Sequence, residues 1–137
     1  MIVDAGTSHK YGVYLQDKSD TSTIAGFEAF CTTAETLTGR KIRRVRPDQA
    51  LDSNDWKEYC QKHSIIHEFT APYSSAQNGL AERAIRTTMD DVRTLLKDSR
   101  LSHSFWAEVA TYSIDTCNLI PSCRHPGKIL LKVFTKK

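Results

Sequence analysis

A change of period between residues 19 and 47 does most to limit what this chain can fold into. In "SDTSTIAGFEAFCTTAETLTG", Ile24, Phe27, Phe30, Cys31, Ala34 and Leu37 recur at steps of three and four. That spacing is the apolar stripe of an amphipathic helix, and Gly39 is its stop. The next run, "RKIRRVRP", has Ile42 and Val45 as the apolar positions of a short strand, which Pro47 ends. A helix that delivers the chain at once into a strand points to an α/β class rather than a bundle or a sandwich.

The rest of the chain repeats this alternation. "MIVDA" and "YGVYLQ", joined by the turn "TSHK", predict an N-terminal hairpin. "SNDWKEYCQKH" predicts a short helix with Ser53 or Asn54 as N-cap and Trp56, Tyr59 and Cys60 facing inward. "SIIHEFTAP" is a further strand and "YSSAQNG" a turn-rich loop. A long helix, "LAERAIRTTMDDVRTLLKDS", carries Ile85, Met89, Val92 and Leu96 as its stripe. "HSFWAEVATYSIDTCNLI" is another helix, with Trp106 as a core residue, and "ILLKVF" is a short apolar tail. Asp90 and Asp91 are expected on a solvated helix face.

The 137 residues suit one compact domain. A net charge of +3, from 19 Lys+Arg and 16 Asp+Glu, is too small to indicate a nucleic-acid partner by itself. Its distribution says more, because "GRKIRRVRP" puts five basic residues in nine positions. Cysteines 31, 60, 117 and 123 form no Cys-x-x-Cys pair, so they read as reduced thiols of an intracellular protein. No apolar run approaches the roughly 20 residues needed to span a bilayer, so no membrane partner is expected.

The candidate chemistry lies in two carboxylates. Asp48 follows the basic strand, and in open α/β sheets sites gather beyond the carboxyl ends of strands. Glu82 stands near the start of the long helix, 34 positions further on. Oxygen donors of this kind suit Mg²⁺ or Mn²⁺. Two such ions about 3.5–4 Å apart can activate a hydroxyl and stabilise the leaving oxygen of a phosphodiester. Arg83, Arg86, Lys41 and Arg43 could hold phosphates. The plainer alternative is a Glu favoured at a helix start by the macrodipole and a turn Asp. Cys60, His63 and His67 suggest zinc, but the helix ends near His63 and packing accounts for them better.

"TAPYSSAQNGLAER" resembles the stretch around the last catalytic glutamate of retroviral-type integrases, most of all those of copia-type LTR retrotransposons. "WKEYCQKHSIIHEFTAPY", "FWAEVATYSIDTCNLIPS", "DKSDTSTIAGFEAF" and "TGRKIRRVRPD" fit the same family. The resemblance covers residues 1–130 as a partial catalytic core, leaving 131–137 as a truncated C-terminal tail. It implies an RNase H-like mixed sheet flanked by helices, and strand transfer of element DNA by an Asp-Asp-Glu triad with Mg²⁺ (or Mn²⁺). Asp48 matches the second aspartate and Glu82 the glutamate. Tyr73, Gln77 and Asn78 match a flexible loop that contacts DNA, and Arg83 and Arg86 match positions that meet the element ends. DNA (element ends and target) is the implied partner, with RNA as a second one. A homo-oligomer and a nuclear location for the integration step are implied as well.

The resemblance also places the family's first strand, with its first catalytic aspartate, ahead of Met1. Asp4 aligns instead with a non-catalytic aspartate beside a Ser/Thr turn. Around Asp48, "PDQALDSNDW" lacks the family's glycine, and Asp52 is a competing acid. The chain therefore reads as a fragment of a larger polyprotein. Two functions stay open: an integrase core, inactive alone, and a non-catalytic nucleic-acid-binding remnant of a decayed or domesticated element.

Overall fold

The computed structural model describes residues 1–47, 51–68, 75–122 and 125–136, with only the backbone described at 75–78 and 122. The chain divides into two compact units, Val13–Gly79 and Met1–Gly12 with Leu80–Lys137.

In the unit Val13–Gly79, helix α1 spans Asp20–Thr38. Ser19 caps it by accepting from the Ser22 N–H, which satisfies one of the donors a helix start leaves unpaired. Gly39 ends it at φ 66°, in the left-handed region open to glycine, with its N–H donating to the Glu35 carbonyl. Phe27, Phe30, Cys31 and Ala34 are buried as the stripe predicts, while Leu37 is exposed. Helix α2, Asn54–Lys62, is capped by Ser53, which accepts from the Trp56 N–H. Trp56 is 1% exposed and meets Phe27 edge-on, ring centroids 5.0 Å apart. Strands β3 (Arg44–Val45) and β4 (Ile66–His67) pair in parallel, Arg44 opposite Ile66 and Val45 opposite His67. Parallel partners need a crossover, and α2 is that crossover.

Gly26 lies inside α1, where glycine costs about 1 kcal/mol relative to alanine. A Cβ there would stand 2.5 Å from Val13 Cγ1 and 3.1 Å from Leu15 Cδ2. The glycine lets the segment after the hairpin pass against the helix.

The other unit begins with the hairpin β1 (Ile2–Val3) and β2 (Lys10–Tyr11), shorter than the alternation predicts. Asp4 organises the turn, its Oδ2 accepting from both the N–H and the hydroxyl of Thr7 at 2.7 Å. Helix α3 spans Ser75–Ser99 and α4 spans Trp106–Leu119, after a 3₁₀ turn at His103–Phe105. Val92, Leu96, Val109 and Ala110 form their shared core, with Leu95 packed on it. Among the described side chains of α3, Ala84, Thr88, Val92 and Leu96 are buried, and Ile85, expected in the stripe, is exposed. Trp106 is also exposed, at 47%, because it occupies the first position of α4, ahead of the buried face begun by Val109 and Ala110. Asp90 is exposed and pairs with Arg93, but Asp91 is half-buried and accepts from the Ser113 hydroxyl at 2.9 Å. Strands β5 (Pro121–Ser122) and β6 (His125–Ile129) form a hairpin that no alternation announced, and α5 (Leu130–Thr135) turns the apolar tail into a helix. Among the described residues the strands form three two-stranded pairings, two antiparallel and one parallel.

Two expectations follow. Gly26→Ala should lower the urea midpoint although alanine is the better helix former, because Val13 is rigid at χ1; a raised midpoint would show that the 13–15 segment yields freely. His9 is buried and stacked on Phe134, centroids 4.3 Å apart. Desolvation lowers its pKa from the ordinary 6.5, against the opposing pull of Asp4 and Asp115. As pH falls through the unfolded value near 6.5, the unfolded chain takes up a proton that the folded chain resists, so stability drops. Urea midpoints at neutral and mildly acidic pH should show that loss, and His9→Phe should flatten it.

Candidate nucleic-acid interface

Glu82 is the eighth residue of α3, which starts at Ser75 rather than at Leu80. Residues 75–79, expected as loop, are helical, so Gln77 and Asn78 lie on the helix. Polar and small residues set the loop expectation, yet only Gly79 among them carries the larger helix penalty. The macrodipole acts on the first turn, and the first turn of α3 holds no acidic residue. Helix-end electrostatics therefore do not account for Glu82. Its side chain is exposed, as is that of Arg86 one turn on. Neither is in an ion pair among the described residues, although Glu followed by a cation at i+4 is a favourable order. Arg83 is exposed too.

The two competing acids weighed in the sequence, Asp4 and Asp52, are engaged. Asp4 is committed to Thr7 in its own turn. Asp52 pairs with Lys57 at 2.5 Å. Asp48 and Tyr73 lie outside the described residues. Glu82 thus fits a hard divalent cation as an unengaged oxygen donor. Among the described residues no group of three His, Cys, Asp or Glu side chains gathers as a metal site. His63 stacks on Tyr59 at 4.4 Å, and burial raises the Cys60 thiol above its ordinary pKa. Zinc binds thiolate, so both observations favour packing over ligation.

The basic segment in the unit Val13–Gly79 separates into two sets. Arg44 and Arg46 point to the same side of β3 and reach both oxygens of Glu68, at 2.9 and 3.0 Å. This clamp was not visible in the sequence, since Glu68 follows β4, 22 positions beyond Arg46. Lys41 and Arg43 are exposed and outside the clamp. Lys41 lines a small recess of about 160 Å³ together with Glu28 and Glu35, and Arg43 is in no ion pair among the described residues. Asn118 is structural: it is buried, its Oδ1 accepts from the Lys10 N–H at 3.0 Å and its Nδ2 donates to the Lys10 carbonyl at 2.8 Å.

No family model matches the chain. It is 36% identical over 132 residues, 95% of its length, to the retrovirus-related Pol polyprotein from transposon TNT 1-94 of Nicotiana tabacum, and it spans about 10% of that protein. In structure it superposes on a chain of the simian T-cell lymphotropic virus intasome, solved with the PP2A regulatory subunit B56 gamma. The TM-score is 0.76 at 18% identity, covering 96% of this chain and 46% of that one. It also superposes on the HTLV-2 integrase catalytic core domain, solved with magnesium in a trimeric form. There the TM-score is 0.72 at 19% identity, covering 96% and 80%. The fold is that of these catalytic cores, as the α/β, RNase H-like expectation has it.

The clamp has a measurable consequence. Glu68→Gln should change stability by less than about 1 kcal/mol, the usual worth of exposed ion pairs. It should also release two guanidinium groups, so that the variant elutes from immobilised heparin at higher salt than the parent. Unchanged elution would mean that Arg44 and Arg46 already face the polyanion.

Proposed function

We propose that this relative of a retrotransposon Pol polyprotein, with the fold of an integrase catalytic core, is the catalytic-core segment of a copia-type integrase. It serves DNA integration by metal-dependent strand transfer in the nucleus, and the isolated chain grips DNA without completing the reaction. The observation that carries this reading is Glu82: an exposed, unengaged carboxylate on α3 with Arg86 on the same face one turn away.

Asp48 and Glu82 would hold Mg²⁺ or Mn²⁺. Bound there, the ion supplies Lewis-acid activation of the attacking hydroxyl and charge neutralisation at the leaving oxygen. The side chains do the positioning. Arg86 and Arg83 set element-end phosphates along α3, and Tyr73, Gln77 and Asn78 meet the DNA ahead of them. Arg43, with Lys41, neutralises phosphate in the other unit. Element ends and target DNA are the partners, RNA is a further nucleic-acid ligand, and the working form is a homo-oligomer.

A second reading, a non-catalytic nucleic-acid-binding remnant, is favoured by one feature. The chain's early aspartate, Asp4, has its Oδ2 taken up by two hydrogen bonds from Thr7 in its own turn, a structural role that accounts for it without a metal.

Strand-joining and nicking with labelled element-end DNA and Mg²⁺ or Mn²⁺ separates these outcomes. The purified chain should bind DNA in a salt-sensitive way and form no joined product. Adding the upstream polyprotein segment should give product that Asp48→Asn and Glu82→Gln each abolish. Because Glu82 is exposed, Glu82→Gln should leave stability within about 0.5 kcal/mol. Product that survives Glu82→Gln would overturn the site. No product even with the upstream segment, with DNA binding kept, would establish the remnant.

A further inference from the structure

We propose that the groove between β6 and α5 is a separate nucleic-acid backbone site, made by Lys128, Lys132 and Lys136. This rests on the reading that the chain binds DNA, and adds a surface that none of the residues above supplies. The groove has a volume of about 550 Å³ and is lined by Gly127, Lys128, Ile129, Lys132, Val133 and Lys136. Three of its six lining residues are cationic and none is acidic. All three lysines are exposed, and no ion pair engages any of them among the described residues. Ile129 and Val133 are half-buried between them and make an aliphatic floor along which lysine stems can lie while the ammonium heads stay in water.

The array is held in place. Leu130 is 4% exposed, and Phe134 is stacked on the buried His9, so α5 is anchored from its opposite side. The form of the groove selects the ligand. A small phosphate is normally held by several convergent donors, often backbone N–H groups, whereas this groove is open and offers flexible point charges in a row. An extended polyanion matches that row, since each phosphate neutralised releases counterions. A membrane surface matches less well. An interfacial helix needs a free apolar face, and the apolar residues of α5 are buried or half-buried against its own unit.

The test is fluorescence anisotropy of a labelled DNA duplex across a salt titration. It compares the parent chain, the triple variant Lys128→Gln, Lys132→Gln and Lys136→Gln, and Arg86→Gln. The triple variant should fold normally by circular dichroism, and the slope of log affinity against log salt should become shallower by roughly 2–3, near 0.9 per lost contact. Arg86→Gln should lose a further contact additively. An unchanged slope in the triple variant, with the parent binding and Arg86→Gln weakened, would overturn the groove and leave the functional reading intact. No binding by the parent at low salt would overturn the functional reading itself. Lysine-dependent binding to phosphatidylserine vesicles, with DNA binding unaltered, would reassign the groove to a membrane.

Discussion

The pair of hydrogen bonds between the Asn118 side chain and the Lys10 backbone holds the N-terminal residues to the helical half of their unit. The hairpin it supports has only two residues per strand, and a hairpin so short is not stable alone in water. The Asn118 amide acts as a third strand would: it presents an acceptor and a donor to one residue's N–H and C=O. Both groups are thereby satisfied in a part-buried place, and the buried Asn118 amide meets its own partners, where an unmade bond would cost about 1–3 kcal/mol. Other long-range ties reinforce it. His125 Nε2 meets the Gly6 carbonyl at 3.1 Å, and His9 stacks on Phe134. Residues more than a hundred positions apart thus form one unit, and the lysine groove inherits its rigidity from them.

Acidic side chains show the same division between structure and availability. Asp4 shapes a turn, Asp52 and Asp90 take a nearby cation, Asp91 binds Ser113, and Glu68 holds two arginines. Glu82 differs from all of these in having no such partner among the described residues. A carboxylate left in water on a helix face, away from the helix end, contributes little to the fold. Other exposed carboxylates, such as Asp98 and Glu108, are equally without an ion pair among the described residues, so the weight of Glu82 in the functional reading comes from its place on α3 one turn from Arg86.

How much was legible in the sequence depended on the range of the interaction. Helix ends set by neighbours within four residues were legible: Ser53 and Gly39 act as their types predict. The α1 stripe was legible because aromatic residues at three- and four-residue steps admit one burial face. Ile85 and Trp106 were misread for different reasons: Trp106 opens α4 ahead of its buried face, while Ile85, well inside α3, lies off the face that Ala84, Thr88, Val92 and Leu96 bury. Asp91 and Glu68 were misread or unseen because their partners come from other elements, 22 positions away in each case. At the site, the exposure of Glu82 and Arg86 agrees with the pattern, while the helical start at Ser75 does not, since turn-type residues tolerate a helix that a later apolar face stabilises. The role of Asn118 has no local signature at all.

Net charge is the wrong quantity for judging this chain as a nucleic-acid binder. At physiological salt a charge beyond about 8 Å is largely screened, so a phosphate responds to the cations beside it and not to the +3 of the whole chain. Arg44 and Arg46 belong to the most basic segment, yet Glu68 neutralises much of their field at 3 Å range. The tail has fewer cations, but Lys128, Lys132 and Lys136 share a groove without an acidic residue in its lining. Local potential is therefore not ranked by the density of Lys and Arg along the sequence. It is ranked by which cations folding leaves without a carboxylate, and on that measure Arg86, Arg43 and the groove lysines stand above the arginine-rich strand.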